Sequence, residues 1–332
     1  IDCMSEVPFK DVYIYATVLT EDGRRMAKSL GTGVDPMEVI QSKGADALRY
    51  TLFSQTGHNQ DIRYSDRRTE DARNLCNKIW NASRFVFMNL DRYEHKKPEA
   101  LHDVDRWILS RLANTERSVR ESYEQYDVQS ACQALYHFFW SELCDWYIEI
   151  SKGRLSDESQ RDTPQWVLVT CLDAFLKMMH PVMPHITEEV YSHLPIPGKS
   201  PFLMSSRWPD DAGKADDAAE SRVASWIDTT RALRALPAEL GIAPMKTIAA
   251  AYYEGDLGEG ERVIASQAWV EDLRLGRPEG KFVSHSIPGV DLHISTEGLV
   301  DEQAELKRIL VQIEKSQAEL KKLDQRLSNP QF

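Results

Sequence analysis

Three basic side chains near the start of the chain are spaced so that they could bind a polyphosphate. Arg24, Arg25 and Lys28 follow the turn signal EDG at 21–23 and precede the glycine-rich segment LGTG at 30–33. Negative charge builds on the leaving oxygens when pyrophosphate is expelled, and a lysine that meets this charge in the transition state accelerates the step. Losing one such contact typically reduces the rate ~10²–10³-fold. A solvated basic turn would have the same pattern, so both interpretations stay open on these residues alone.

The sequence predicts a strand before this basic cluster and a helix after it. Residues 11–19, DVYIYATVL, are apolar and rich in β-branched and aromatic side chains, which indicates a buried strand. Asp35 and Pro36 are typical of the N-cap and the first turn of a helix. The cluster is therefore expected on a turn that joins a buried strand to a helical segment.

Most of the remaining chain is predicted to be helical. Apolar residues recur at intervals of three and four, as on the buried face of amphipathic helices. Helices are expected over residues 66–90, 103–125, 128–152, 163–180 and 217–235, with a shorter one that begins at Thr187. Between 245 and 298, KTIAAAYYE, KFVSHS and DLHIS predict strands and ERVIASQAWVEDL predicts a helix, which together indicate a small α/β unit. From Leu299 to Leu327 a leucine or isoleucine recurs every seven residues, which predicts a coiled-coil helix.

The distribution of charge leaves room for a local RNA-binding surface. The net charge of −12 argues against a uniformly basic protein, although a basic stripe remains compatible with it. Arg106, Arg117 and Arg120 fall on one face of the helix predicted at 103–125, since their offsets are whole helical turns. Together with Arg111 they could contact RNA phosphates or bases. Acidic residues four positions beyond two of them could instead form ion pairs within the helix.

Cysteine, histidine and hydropathy patterns argue against several other classes of protein. The five cysteines lie far apart and form no C-x-x-C pair, which disfavours a disulfide framework or a zinc site and favours a reducing, cytoplasmic setting. His180 and His185 enclose two prolines that would break the helix a histidine pair needs, so we predict no metal site. No run of about 18 apolar residues occurs, and no membrane-spanning helix is expected.

Several segments resemble, in the same order, the class I aminoacyl-tRNA synthetases for valine, isoleucine and leucine. RMAKS at 25–29 is similar to their KMSKS signature, and KGADALR at 43–49 is similar to the sequence that follows it. NKIWNASRFV at 77–86, ELCDWY at 142–147 and HPVMPHITEE at 180–189 also resemble this family. The matches favour the valine-specific branch and extend over essentially the whole chain, with the isoleucine and leucine branches as alternatives.

The resemblance implies an ATP-dependent ligase that joins valine to tRNA(Val) through valyl-adenylate, with Mg²⁺ as cofactor. It implies that Lys28 contacts the departing pyrophosphate and that Arg25, Met26, Ala27 and Ser29 complete the nucleotide-binding loop. Arg25 keeps the charge of the usual lysine, whereas Ala27 lacks the hydroxyl of the usual serine. The family's other signature, HIGH, does not occur in the sequence, and the amino-acid pocket and editing domain are expected upstream. We therefore predict that the isolated chain binds tRNA weakly and is catalytically inactive.

The resemblance also implies a mainly α-helical fold with five regions. These are the end of a Rossmann-type core at 1–34, a connecting helical module at 35–100, an anticodon-binding helix bundle at 101–235, a small α/β unit at 236–298 and the first helix of a coiled-coil arm at 299–332. Lys321 and Lys322 on that arm are expected to contact tRNA, as are the four arginines described above. The parent enzyme is expected to be monomeric, and the unpaired arm could let the isolated chain self-associate. A free-standing tRNA-binding module without catalysis is the alternative from another functional class.

Overall fold

The computed structural model describes residues 7, 9–14, 16–57, 61–209, 213–239, 247–295, 310–311 and 313–321. The chain forms two compact units, residues 1–220 and residues 221–332. Helices account for most of the described residues, which confirms the mainly α-helical fold class. The finer division into five regions stays a prediction.

The first unit begins with a short parallel pair of strands, joined by two helices. Strand β1 (Val18–Leu19) pairs with β2 (Ile62–Arg63), and the connection contains α1 (Pro36–Lys43) and α2 (Ala45–Phe53). The Asp35 carboxylate accepts a hydrogen bond from the backbone N–H of Met37 at 2.8 Å. This contact confirms the helix start that was predicted at Asp35 and Pro36.

The strand predicted over residues 11–19 is shorter than expected. Pairing is limited to Val18 and Leu19, whereas Val12, Tyr13 and Ile14 are 78%, 48% and 87% exposed. An apolar strand becomes buried only where neighbouring elements cover it. Within the described part of the chain, β2 lies beside just the last two residues of this segment.

Helices make up the rest of the first unit. They are α3 (Asp66–Met88), α4 (Asp103–Glu124), α5 (Val128–Tyr136), a π-helical segment (His137–Ile148), α6 (Glu149–Leu155), α7 (Asp162–Met179) and α8 (Pro184–Ser192); α9 (Asp217–Glu239) begins here. Most of these bounds agree with the predicted helices. The prediction that Thr187 starts a helix was wrong, because its hydroxyl donates to the carbonyl of Met183 at 2.7 Å from inside α8.

Aromatic side chains from the π-helical segment and α7 form the core of these helices. Phe138, Phe139, Tyr147 and Phe175 are fully buried, and the rings of Phe139 and Phe175 stack with centroids 4.2 Å apart. Burying one such side chain stabilises a fold by roughly 1.5–3 kcal/mol. The sequence pattern FFWSELCDWY therefore serves mainly to build this core.

A buried ion pair crosses the same core. Asp105 on α4 is fully buried and accepts hydrogen bonds from both terminal nitrogens of Arg154 at 2.8 and 2.9 Å. The Tyr147 hydroxyl donates to the same carboxylate at 2.7 Å. The three side chains tie α4, the π-helical segment and α6 together.

The second unit contains a four-stranded sheet. Its elements are β3 (Ile248–Gly255), α10 (Gly260–Gln267), β4 (Val270–Leu275), β5 (Phe282–Ile287) and β6 (Val290–Ser295), with the strands in the order β4-β3-β6-β5. The three strands that were predicted in this part of the chain are confirmed as β3, β5 and β6. The predicted helix ERVIASQAWVEDL was too long, because Trp269 adopts a left-handed conformation (φ +57°) and the next residues pair with β3 as a parallel strand.

The end of the chain is described only in part. Residues 310–311 and 313–321 are helical and exposed, in agreement with the predicted arm helix. Several predicted seam positions, namely Leu299, Leu306, Ile309, Leu323 and Leu327, lie outside the described residues, as does Lys322. None of the helices that the structure describes is long and apolar enough to cross a membrane.

Candidate functional site

The basic turn is entered through a tight reversal of the chain after β1. The backbone N–H of Thr20 donates to the carbonyl of Arg24 at 2.9 Å, and the N–H of Gly23 donates to the carbonyl of Thr20 at 2.9 Å. Gly23 has a φ of +85°, a conformation that side-chain-bearing residues rarely adopt. The predicted turn EDG is therefore confirmed, and it directs the chain from the strand into the basic segment.

A threonine closes the loop around the signature residues. The hydroxyl of Thr32 accepts a hydrogen bond from the N–H of Ala27 at 3.1 Å and donates to the carbonyl of Arg25 at 3.2 Å. Between them, a short 3-10 turn spans Lys28–Leu30. Thr32 was not singled out from the sequence, although a hydroxyl inside the glycine-rich LGTG segment is the signal that could have identified it.

Arg24 and Arg25 of the turn differ in whether an acidic side chain pairs with them. Arg24 is bound to the carboxylate of Asp22 at 2.7 Å. The Thr20 hydroxyl, and then Arg24, hold the pKa of Asp22 below its ordinary value, so the carboxylate stays ionised and neutralises that arginine. Arg25 is exposed and has no ion-pair partner among the described residues. The side chain of Lys28 lies outside the described part of the structure, while its backbone begins the 3-10 turn.

The remaining residues of the loop are uncharged. Met26 and Ala27 are half-buried, whereas Ser29 is exposed. Two hydrogen bonds anchor the loop at its base. The backbone N–H of Ile62 donates to the carbonyl of Thr17 at 2.8 Å, and the side-chain hydroxyl of Ser65 donates to the carboxylate of Glu21 at 3.0 Å. These contacts fix the two ends of the loop to the strand pair.

The arginines at the start of α4 are held in ion pairs. Arg106 binds Asp216 through two nitrogens at 2.8 and 2.6 Å and approaches Asp103 at 3.4 Å. Asp216 lies directly before α9, so this contact joins two segments that are 110 residues apart. Arg106 therefore has a structural partner in addition to its expected role in binding tRNA.

Arg111 is more strongly enclosed. It donates to Glu142 at 2.7 Å and to Glu220 at 3.0 Å, and Asn114 donates to the same Glu220 carboxylate at 2.8 Å. Burial raises the pKa of Glu142, and this effect outweighs the attraction of Arg111. The second oxygen of Glu142 has no hydrogen-bond partner among the described residues. This network binds the π-helical segment and the start of α9 to α4.

The other two predicted arginines pair within α4, though not with the expected acids. Arg120 binds Glu116 at 2.6 Å, and Arg117 donates to the side chain of Asn114. The prediction had placed their partners four residues later in the helix. Trp208 explains the choice for Arg120, because its indole N–H donates to Glu116 at 2.5 Å and its ring lies 5.6 Å from the guanidinium.

An exposed face of α3 carries polar and aromatic groups that were not predicted as a site. Trp80 is 48% exposed on this face, and Arg84 is exposed without an ion-pair partner among the described residues. Asn77 and Asn81 are exposed beside them. Arg73, one helical turn from Asn77, approaches its acidic neighbour only at 3.9 Å. Aromatic rings with arginine and amide side chains are the groups that bind single-stranded RNA.

A signal in the sequence could have identified this face. Residues 72–90 contain Arg73, Lys78 and Arg84 but no aspartate or glutamate, in a chain with 52 acidic residues. Lys78 is engaged by Asp145 at 3.2 Å and lies 5.0 Å from the ring of Trp140. The absence of acids from 72–90 leaves Arg84 without local competition, whereas Arg73 lies near Glu70 in the preceding turn of the helix.

The remaining predicted contact residue lies on the arm. Lys321 is exposed at the end of the described helix 313–321. Within the described residues, no group of three or more histidine, cysteine, aspartate or glutamate side chains could hold a metal ion.

Comparison with known families identifies two matching regions. Residues 1–65 match the family described as tRNA synthetases class I (I, L, M and V). Residues 105–252 match the family described as the anticodon-binding domain of tRNA ligase. The first match contains the basic turn and the second contains the arginines of α4.

Curated relatives agree over the whole chain. The chain is 36% identical to the valine–tRNA ligase of Thermotoga maritima over 334 aligned residues, which cover 99% of this chain and 38% of that protein. It is 38% identical to the valine–tRNA ligase of Carboxydothermus hydrogenoformans over 347 residues, which cover 100% of this chain and 39% of that protein. The chain thus spans about two fifths of the length of these relatives.

A solved structure shares the fold. The crystal structure of the ternary complex of Agrobacterium radiobacter K84 agnB2 LeuRS-tRNA-LeuAMS matches 64% of this chain and 25% of that chain, with a TM-score of 0.50 and 21% sequence identity. At this identity the likeness concerns the fold alone.

Proposed function

The chain belongs to the valine–tRNA ligases, a branch of the class I tRNA synthetases, and we propose that it supplies the pyrophosphate-binding turn and the tRNA-binding helices of the complete enzyme. The proposed reaction has two steps. Valine and ATP first form valyl-adenylate and pyrophosphate, and valine then passes to tRNA(Val). As translation enzymes, such proteins are proposed to act in the cytoplasm.

The observation that carries this proposal is the closed basic turn. Thr32 holds the backbone of Arg25 and Ala27 together, and Lys28 begins the 3-10 turn inside that closure. With Arg24 neutralised by Asp22, the net cationic charge of the loop falls on Arg25 and Lys28. We assign to Lys28 the contact with departing pyrophosphate, because a cation there stabilises charge that is larger in the transition state than in bound ATP.

ATP is proposed to bind together with Mg²⁺, and the bound metal would neutralise part of the phosphate charge. Because the described residues provide no group of three metal-ligating side chains, the proposal gives this chain no metal ligands. Its own contribution is to hold the phosphates with cations and backbone amides. Arg25, Met26, Ala27 and Ser29 are proposed to shape that loop, with the Thr32 hydroxyl in place of the hydroxyl that Ala27 lacks.

For tRNA binding, we propose that the exposed face of α3 makes the strongest contacts. Trp80 can stack on an unpaired base, and Arg84 can bind a phosphate without first leaving an ion pair. Arg106, Arg111, Arg117 and Arg120 of α4 are proposed as weaker contacts, as their side chains are already bonded within the protein. Lys321 and Lys322 of the arm remain proposed contacts to the tRNA body.

Replacing Lys28 in the complete ligase tests the first assignment. We expect Lys28→Ala to reduce valine-dependent ATP–pyrophosphate exchange ~10²–10³-fold. Lys28→Arg should retain a larger share of the rate because it keeps the charge. Arg24→Ala is the matched control, since that side chain is neutralised by Asp22. An unchanged exchange rate for Lys28→Ala would refute the assignment.

Experiments on the isolated chain test which activities this chain supplies and which the rest of the ligase supplies. We expect the isolated chain to bind tRNA(Val) weakly at a stated salt concentration and to show no valine-dependent exchange. Binding measured in parallel with the tRNA for isoleucine tests the assignment to the valine branch. Indifference to the anticodon would contradict the proposed tRNA-binding role of the helices, and robust exchange by the isolated chain would contradict the proposed location of the amino-acid pocket.

A further inference from the structure

Helix α8 is capped by a residue from a distant part of the first unit. Its own N-cap, Met183, offers no side-chain acceptor. The carboxylate of Asp46, on the first turn of α2, accepts instead from the backbone N–H of His185 at 3.3 Å and of Ile186 at 2.6 Å. These are the orphan donors that a local N-cap side chain would ordinarily satisfy.

A second side chain on α2 binds the loop just before α8. Arg49 donates through Nε to the carbonyl of Val182 at 2.9 Å and through a terminal nitrogen to the carbonyl of Pro181 at 2.9 Å. Asp46 and Arg49 are one helical turn apart and thus lie on the same side of α2. The anionic side chain meets amides and the cationic side chain meets carbonyls, so the two contacts set both the position and the direction of the loop.

The loop that receives these contacts is itself stiff. Prolines at 181 and 184 restrict its backbone. The ring of His180 is hydrogen-bonded to the fully buried hydroxyl of Thr187 at 2.8 Å. Glu188, farther along α8, accepts from the backbone N–H of Leu203 at 2.8 Å. A shift of α2 is therefore passed to α8 as a whole.

Helix α2 also packs against α3, the helix that carries the exposed face proposed to bind tRNA. Gly44, with a φ of +97°, is the one residue between α1 and α2, so α2 leaves α1 through a tight corner. At its other end, Gln55 accepts a hydrogen bond from Arg68 on α3, the helix that carries the exposed RNA-binding face. Polar contacts of α2 and of the residues that follow it thus join the start of α8 to α3, the helix proposed to make the strongest contacts with tRNA.

We propose that Asp46 and Arg49 are positioning residues that clamp α8 to α2 and thereby fix the packing of α3, the helix that carries the proposed tRNA-binding face. This inference rests on the proposed ligase function. A local Ser, Thr or Asp at position 183 would have capped α8 equally well without any link to α2. The cap supplied from 140 residues away makes the order of α8 depend on the placement of α2. We therefore expect the charging of bound tRNA, but not the formation of the adenylate, to depend on the placement of these helices.

The test uses a complete ligase that contains this chain. Asp46→Ala and Arg49→Ala are compared with the wild type in tRNA-independent ATP–pyrophosphate exchange, in tRNA charging with separate kcat and KM, and in thermal melting. We expect kcat/KM for charging to fall about 10–100-fold, because small misplacements far from the chemistry have effects of this size. Exchange should stay within about threefold of the wild type, since Thr32 and the β1–β2 pair hold the turn independently.

Lys199→Ala is the matched control. Lys199 also donates to backbone carbonyls of α8, at 2.8 Å to Ser192, but it acts at the far end of the helix and does not touch α2. Its ratio of charging to exchange should equal that of the wild type. The double variant Asp46→Ala with Arg49→Ala should be little worse in charging than either single variant, since the two residues act as one clamp.

Three outcomes would overturn the clamp. The first is a parallel loss of charging and exchange. The second is an unchanged ratio of charging to exchange in both single variants, and the third is an equal change of that ratio in the Lys199→Ala control. If Asp46→Ala does not fold, Arg49→Lys keeps the charge but loses the two-point contact, and an unchanged ratio there overturns the proposal alike. A wild-type enzyme that lacks valine-dependent exchange would instead refute the proposed function, and is thereby distinguishable.

Discussion

Two arginines of α4 differ from one arginine of the basic turn and one of α3 in the acidic side chains around them. Arg106 and Arg111 each contact two carboxylates, supplied partly by residues more than 100 positions away. Arg25 and Arg84 are exposed and have no ion-pair partner within the described residues. Helical or loop spacing of cations identifies both groups, and the carboxylates within reach distinguish them.

An arginine that already has carboxylate partners is expected to contribute to stability, and one without them is expected to contribute to ligand binding. An arginine that already binds two carboxylates must release them before it can bind phosphate, so the net gain is small. An open arginine gains the full interaction and releases counterions from the nucleic acid. We therefore expect the paired arginines of the helix bundle chiefly to stabilise the fold and the open ones chiefly to bind ligands. The following experiments test that division, beginning with the largest expected effect.

Replacing Arg154 with alanine should destabilise the bundle most. The change leaves the fully buried carboxylate of Asp105 without its cation, and breaking such a buried pair costs about 3–5 kcal/mol. Denaturant unfolding followed by tryptophan fluorescence measures the loss. Lys152→Ala is the control on the same helix, because its exposed pair with Glu149 contributes about 1 kcal/mol or less. Equal losses in the two variants would contradict the division.

Truncating Trp80 or Arg84 should weaken tRNA binding, and for the exposed Arg84 this should occur without loss of stability. We expect about 1–3 kcal/mol for the lost stacking of Trp80. Arg84→Ala should lower the slope of log affinity against log salt concentration by about one. Filter binding over a salt series gives both quantities. Arg106→Ala is the comparison, and an equal or larger loss of affinity there would reverse the proposed roles of α3 and α4.

The contribution of Glu142 to the stability of the bundle should fall as pH rises above the ordinary pKa of a glutamate. The raised pKa of Glu142 means that the folded state binds more protons than the unfolded state, so this contribution is complete below pH 4.5 and is lost as pH rises through the folded pKa. The slope is at most about 1.4 kcal/mol per pH unit. Glu142→Gln should remove it, as measured by unfolding at a series of pH values. A variant with the same slope as the wild type would rule out Glu142 as the source.

The smallest effect is expected for Arg120. Arg120 pairs with Glu116 four residues away and lies over the ring of Trp208, and each of these contacts contributes about 0.3–1 kcal/mol. Arg120→Ala should therefore change the melting temperature and the tRNA affinity only slightly. The sharpest result is the contrast with Arg84→Ala, for which affinity should fall while stability stays the same. A large loss of affinity for Arg120→Ala would show that pairing within the helix does not prevent tRNA binding.

Local signals were sufficient for much of the fold. Asp35 and Pro36 start α1 because a cap acts on amides two residues away. The bounds of α3, α4 and α7 follow from apolar spacing along each helix. The basic turn and its glycine at position 23 were predictable for the same reason, since each depends on neighbours within a few residues.

The tertiary structure decided the features that depend on distant partners. The sequence around α8 has no local cap, so its true start could not be read there, and Asp46 supplies the cap from α2. VEDL became a strand because β3 lies beside it, although its composition also suits a helix. Likewise, the sequence alone places the arginines on α4, but only the tertiary structure brings Glu220 and Asp216 next to them. Capping and periodicity act over one or two helical turns, whereas ion pairing and burial depend on which segments meet in space.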